Sequence, residues 1–167
     1  MSETKNHDPQ LAATAYHEAG HALMATIVGR LIQKVTISPG KMQTGGNRLG
    51  VCQMQKGRTK STKDWLEDEV LILFAGMVAE SQLTGQYCHV GAGEDLRMIH
   101  RLLRDRPGSQ RQVERFERRL FDKTAHILSD QANTQAIRWT AEELLLKTTI
   151  SGRAVRHFLQ QAEQQFS

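Results

Sequence analysis

His17-Glu18-Ala19-Gly20-His21, set within the longer run from Ala15 to Ala22, decides how this chain reads. Residues four apart on a helix share a face, so both imidazoles can address a single ion. Glu18 follows the first histidine and projects toward the side where a water would sit. Zinc bound by such a pair lowers the pKa of that water toward neutrality. A neighbouring carboxylate can then take the proton as the oxygen attacks a carbonyl. Chance produces the pattern in roughly one chain of this size in a few hundred. The flanks supply the helix it needs. Asp8-Pro9 reads as an N-cap followed by proline in the first helical position. Leu11, Ala12, Ala15, Ala19, Ala22, Leu23, Thr26 and Ile27 recur at helical spacing, and Gly29 can close the C-terminus. Ala19, Gly20 and Ala22 are small enough to let a second helix approach closely.

Two histidines and a water leave a zinc site one protein ligand short. His89, Glu94, Asp95 and His100 are the downstream candidates. Gly91-Ala92-Gly93-Glu94-Asp95-Leu96 reads as a loop turning into a helix, where carboxylates are favoured in the first turn. Spacing alone does not choose between Glu94 and Asp95.

The motif and its neighbours resemble the peptidase domain of the FtsH family, peptidase family M41, whose members are membrane-bound, ATP-dependent zinc proteases. Lys34-Val35-Thr36-Ile37-Ser38-Pro39-Gly40 and Leu49-Gly50-Val51 resemble the β-ribbon that follows the family's zinc helix. Phe74-Ala75-Gly76-Met77-Val78-Ala79-Glu80 is similar to its glycine-containing buried helix. Gly91 to Leu96 resembles the segment that supplies its aspartate ligand, which falls on Asp95. The likeness covers roughly residues 12–104 and weakens beyond Pro107, although Thr149-Ile150-Ser151 is also similar. It implies a zinc site of His17, His21 and Asp95 with Glu18 as the catalytic base, and it suggests a ring assembly. Glu80 could orient a histidine from behind, or could equally be a buried or surface carboxylate without that role.

The departures bear on partners. No Gly-x-x-x-x-Gly-Lys-Ser/Thr phosphate loop occurs in the 167 residues, so no ATP binding is expected. No apolar run is long enough to span a bilayer, the longest being Val70 to Ala79. Residues 1–7 are polar and expected to be disordered, and 8–167 are expected to form one zinc-peptidase domain. Cys52 and Cys88 make no disulfide framework, which suits a cytoplasmic protein. The net charge is +4, with arginines at 97, 101, 104, 106, 111, 115, 118 and 119. Asp105, Glu114 and Glu117 are interleaved among them and aromatic residues are few. A solvated helix face laced with ion pairs is therefore expected, and no nucleic-acid partner.

The chain reads as mainly α: an array of about six helices with a small two-stranded β-ribbon beside the zinc helix. Strands are expected near 33–38 and 48–54, joined through Gly40, Gly45 and Gly46. Helices are expected from Ser61–Asp64 toward Gly85, from Glu94 to before Pro107, from Ser109, near 134–147 with Asn133 as a break, and near 152–166. Leu49-Gly50-Val51-Cys52 is the candidate edge along which an extended polypeptide would be held as an added strand, the alternative being a ribbon that simply caps the core. The expected function is a zinc-dependent endopeptidase acting on unstructured or loosely folded proteins, without an ATPase of its own. The alternatives are a regulatory or adaptor protein that keeps the fold and its zinc while docking on a protease or another partner, or a DNA-associated regulator. A homo-oligomer or a separate partner that delivers substrate fits the first reading.

Overall fold

The computed structural model describes residues 7–41 and 47–167. The expected N-terminal tail, apart from His7, and the glycines 45 and 46 lie outside the described residues. Helix α1 (Pro9–Ile27) is capped as its sequence predicts: the Asp8 side chain accepts from the Gln10 amide, and Pro9 opens the first turn. Val28 closes it, and Gly29 follows at a φ of 86°.

Helix α2 (Trp65–Thr84) starts at Asp64, whose side chain accepts from the Glu67 amide, and ends on Gly85 in the left-handed region. Helices α3 (Gly93–Leu103), α4 (Gln110–Leu128), α5 (Gln131–Lys147) and α6 (Gly152–Gln165) complete the array. Ser109 and Gln112 form a reciprocal capping box at the start of α4. The break between α4 and α5 falls at Ser129–Asp130, not at Asn133. The Asp130 side chain accepts from both the Ala132 and Asn133 amides, which makes Asn133 part of the first turn of α5.

Helix α1 is the hub, packed against α2, α5, α6 and the sheet. Its contact with α2 is a backbone-to-backbone approach. A Cβ on Gly20 would lie 2.3 Å from the Ala75 carbonyl oxygen and 2.5 Å from the Ala79 Cβ, so only glycine fits there. Ala15, Ala19 and Ala22 are fully buried along the same helix. Leu23, Met24, Ile99, Leu120, Leu128, Ile137 and Leu144 belong to one continuous apolar cluster that draws on all six helices.

The sheet holds one strand more than the expected ribbon. Strands β1 (Arg30–Thr36) and β4 (Val51–Arg58) pair antiparallel, with Val35 opposite Cys52 and Thr36 opposite Val51. Strand β5 (Thr149–Ser151) adds to the other side of β1, placing Ile150 opposite Val35. The order β4-β1-β5 leaves β4 at an edge. Strands β2 (Gly40–Lys41) and β3 (Asn47–Arg48) make a separate short pair. The long strands begin and end about three residues away from the expected limits. Two register irregularities, between Arg30 and Ile32 and between Ile32 and Lys34, interrupt the pairing of β1 with β4.

Candidate metal centre

Helix α1 presents His17 and His21 on one face, and the first turn of α3 brings Asp95 to meet them. The histidine rings lie edge to face, 4.7 Å between centroids. Behind each ring sits a fixed acceptor. His21 Nδ1 lies 2.7 Å from the Ile72 carbonyl oxygen, and since a carbonyl can only accept, this nitrogen carries the hydrogen. His17 Nδ1 faces Glu80 Oε2 at 3.0 Å and donates to it likewise. In the neutral rings both Nε2 atoms are then left with lone pairs.

Those lone pairs converge. His17 Nε2 and His21 Nε2 are 3.0 Å apart, and Asp95 Oδ2 is 2.9 Å from the first and 3.1 Å from the second. Three electron-rich atoms this close repel unless a cation lies among them. Protons meet the need in part, and the surroundings of the cluster shift all three of its groups toward the charged form. Burial pushes the His17 imidazole toward neutrality, yet the Asp95 and Glu80 hydrogen bonds and the Glu18 charge prevail and raise it from 6.5 to about 10. Burial opposes the charged form of His21 too, and Asp95 again prevails and raises it. Burial would raise Asp95, but the charges and hydrogen bonds of the two histidines hold it well below the usual carboxylate range.

The donor set fits zinc. Tetrahedral zinc with bonds of about 2.0–2.2 Å separates its ligand atoms by about 3.3 Å, so this triangle needs to open by only a few tenths of an ångström. Magnesium and calcium prefer all-oxygen sites, which an imidazole pair does not offer.

Glu18 is buried, with only 7% of its surface exposed. A Cβ on Gly50 would come within 2.8 Å of the Glu18 Cγ and 2.9 Å of the Thr36 carbonyl oxygen. Glycine at 50 thus lets the start of β4 close over Glu18. Cys52, two residues further on, is the second residue of β4. Burial pushes its thiol pKa up, the Glu18 charge adds to the rise, and the group is a neutral thiol at ordinary pH. Leu49 is half exposed and Val51 partly buried.

The other ligand candidates point elsewhere. Glu94 pairs with Arg97 on the exposed side of α3, His100 pairs with Glu117, and His89 is exposed. Adjacent residues on a helix differ by about 100° in direction, which separates Asp95 from Glu94.

Two contributors were not read from the sequence. One is the Ile72 carbonyl, which as a backbone group leaves no signature. The other is Gly76, where a Cβ would lie 2.5 Å from His21 Nε2 and 2.7 Å from His17 Nε2. Its signal was available: a glycine in the middle of an apolar helix costs about 1 kcal/mol against alanine and calls for a packing reason.

The sequence profile of Peptidase family M41 matches residues 5–106, and so takes in α1, the sheet residues up to Arg58, α2 and α3. The chain belongs to peptidase family M41. Among M41 relatives it is similar to the ATP-dependent zinc metalloprotease FtsH 4 of Sorangium cellulosum, 35% identical over 102 residues, which is 58% of this chain and 15% of that protein. The corresponding protein of Acidobacterium capsulatum is 37% identical over 93 residues, covering 53% of this chain and 14% of its own length. FtsH 1 of Rhodopirellula baltica is 39% identical over 87 residues, covering 50% and 12%. The chain therefore matches about a seventh of the length of these curated relatives. Its M41 membership and their zinc dependence agree with the donor set at His17, His21 and Asp95. Among the described residues no helix is long and apolar enough to cross a membrane, and Cys52 and Cys88 are both free.

Proposed function

We propose that this M41 chain is a zinc-dependent endopeptidase that cleaves unstructured or loosely folded polypeptides and does so without an ATPase of its own. The convergence of three lone pairs at 2.9–3.1 Å, beside a buried glutamate that directly follows the first histidine, carries the reading.

His17, His21 and Asp95 would hold the ion. Zinc in that position supplies Lewis acidity, acidifying water and polarising a carbonyl oxygen. Glu18 accepts the proton that water gives up and delivers it to the departing amine, one carboxylate serving as base and then as acid. Glu80 and the Ile72 carbonyl keep both rings in the tautomer that leaves Nε2 free to bind. The edge of β4 that β1 does not use offers backbone donors and acceptors to an extended chain, beginning at Leu49-Gly50-Val51-Cys52 and directly beside Glu18. Recognition through the backbone depends little on side chains, but it requires a segment already unfolded. With no phosphate loop in this sequence to drive unfolding, loosely structured substrates are the natural class. Two free thiols suit a reducing compartment, and we place the activity in the cytoplasm.

The test is cleavage of an unfolded, fluorescently labelled protein by the purified chain with zinc and no ATP, beside Glu18→Gln. The variant should keep stoichiometric zinc and lose activity by about 10²–10⁴-fold. Equal cleavage by both proteins would sink the proposal. Absence of cleavage by either, with zinc bound, would favour the adaptor reading. Degradation of a stably folded protein as fast as its unfolded form would overturn the substrate class.

A further inference from the structure

We propose that Arg106, Arg115 and Arg119 form a phosphate-binding site over Phe116, on a face of the molecule distinct from the metal centre. Arg106, Arg115 and Arg119, with Gln112 and the buried Phe116, line a cavity of about 290 Å³. Gln112, Arg115, Phe116 and Arg119 occupy one face of the first three turns of α4, at spacings of three and four. Arg106 folds over them from the segment that follows α3.

The aromatic ring organises these cations. The Arg106 guanidinium carbon lies 3.4 Å above the Phe116 centroid, and that of Arg119 lies 5.1 Å from it. Stacking uses the face of a guanidinium and leaves its in-plane N–H groups free for a forked contact with an oxyanion. Gln112 is also oriented. Its Oε1 accepts from the Ser109 amide, so its NH₂ group is left to donate. The positive end of the α4 dipole adds to the field.

The acidic residues nearby do not neutralise the trio. Glu114 accepts from Gln110, and Glu117 pairs with His100. Asp105 and Asp122 make no ion pair among the described residues. Of the eight arginines between positions 97 and 119, only Arg97 has an ion-pair partner among the described residues, which is Glu94. The expected lacing of this face with ion pairs is not what the structure shows. Arg115 and Arg119 are four apart on one helix, where like charges repel, and an anion between them would relieve that repulsion.

Ligand class follows from charge and shape. A lone carboxylate would leave most of the charge unmatched, whereas a phosphate group brings about two negative charges and several acceptor oxygens. A nucleic acid needs a track of cations along its backbone. Here three cations converge on one cavity, and Arg111 and Arg118 are not among its walls. Asp95 lies at the opposite end of α3, roughly 15 Å away at 1.5 Å per residue. The site therefore stands or falls independently of the peptidase reading.

The experiment follows the arginine Nε–H resonances of the whole chain during titration with inorganic phosphate, beside sodium chloride at matched ionic strength. Saturable shifts at Arg106, Arg115 and Arg119 are expected with phosphate only. Arg115→Gln and Arg119→Gln should each weaken binding by about tenfold, and the charge-preserving Arg115→Lys should weaken it too by removing the fork. Arg153→Gln, on α6, should change nothing. These side chains lie on the surface and Phe116 is left in place, so the fold is preserved. A phosphoserine peptide and its unphosphorylated form identify the source of the group. Tighter binding of the phosphopeptide than of inorganic phosphate assigns it to a polypeptide, and equal binding assigns it to the free ion. Equal shifts with chloride would overturn the proposal. So would an oligonucleotide that moves Arg104, Arg111 and Arg118 as much as the trio while phosphate moves none.

Discussion

The α1–α2 crossing and the junction between α5 and β5 break local conformational preference in opposite ways. In the crossing, Gly20 and Gly76 sit inside regular helices, where glycine is a poor choice at about 1 kcal/mol each. In the junction, Thr148 takes a φ of 66°, a region that a β-branched residue avoids and glycine would accept. The exceptions at the crossing have visible reasons: the Ala75 backbone fills the space over Gly20, and two imidazoles fill the space over Gly76. At Thr148 the backbone is held on both sides, its N–H donating to Leu144 and its carbonyl accepting from Ile37. Among the described residues its exposed side chain makes no hydrogen bond that accounts for a threonine. A glycine inside a helix therefore marks a site of close approach, while a strained threonine in a turn marks only a connection.

The largest expected effect breaks the crossing at the metal. Gly76→Ala places a methyl group 2.5–2.7 Å from the Nε2 atoms of His21 and His17, and the rings must turn away. Zinc affinity should fall by more than about 100-fold, beyond what loss of a supporting hydrogen bond does, with about 1–3 kcal/mol lost from stability by overpacking. Metal content after dialysis and a denaturant titration check both. Asp95→Asn should lower zinc occupancy comparably while Glu94→Gln leaves it unchanged. The reverse result would move the ligand by one position.

Glu80→Gln tests the support behind the site. The amide still accepts from His17 Nδ1 but no longer polarises the ring with a full charge. Zinc should bind about 10-fold more weakly, at the lower end of the range for such partners. An unchanged affinity, measured by competition with a chromogenic chelator, would make Glu80 a buried carboxylate of no consequence to the metal.

The same two regions explain what the sequence disclosed. The α1 helix was legible end to end, because Asp8-Pro9, the spacing of apolar residues and Gly29 all agree. His17, Glu18 and His21 were legible because a helix converts spacing directly into a shared face. Asp95 was legible only through family resemblance. Geometry could not choose it over Glu94, since the rotation of α3 is set by its packing. The third strand was missed for a similar reason. Thr149-Ile150-Ser151 buries a single side chain, Ile150, and one residue carries no period. The arginine-rich face misled because sequence proximity of opposite charges was read as pairing. On α4, Glu114 and Glu117 turn to Gln110 and His100, and the arginines of this helix have no ion-pair partner among the described residues.

Acidity separates the metal-free from the zinc-bound crossing. The folded-state pKa of His17 is raised from 6.5 to about 10, so its contribution to metal-free stability is fully present below pH 6.5 and lost as pH rises through 10. Asp95 is lowered below its ordinary 3.8, so its contribution is present above that value and lost on acidification through its folded pKa. The cluster therefore stabilises the metal-free chain most between about pH 4 and 6.5. Zinc held at the two Nε2 atoms would compete with protons there, so its affinity should rise with pH across the window in which metal-free stability declines. Melting temperatures taken from pH 6 to 10, with zinc and with a chelator, should diverge steadily. Parallel curves would show that the convergent nitrogens are not where the metal binds.

The smallest effect belongs to the junction and sharpens the contrast with the crossing. Thr148→Gly removes the Cβ that a positive φ crowds, which is worth about 1–2 kcal/mol, and adds backbone freedom to the unfolded chain, which returns up to about 1 kcal/mol of that. A net gain of about 0.5–1 kcal/mol is expected, with zinc affinity unchanged, because the turn lies outside the histidine cluster. Denaturant midpoints and chelator competition on the same samples read the two quantities separately. A loss of stability would mean that the threonine side chain holds the turn after all. Position 148 would then join Gly76 as a departure from local preference with a packing reason behind it.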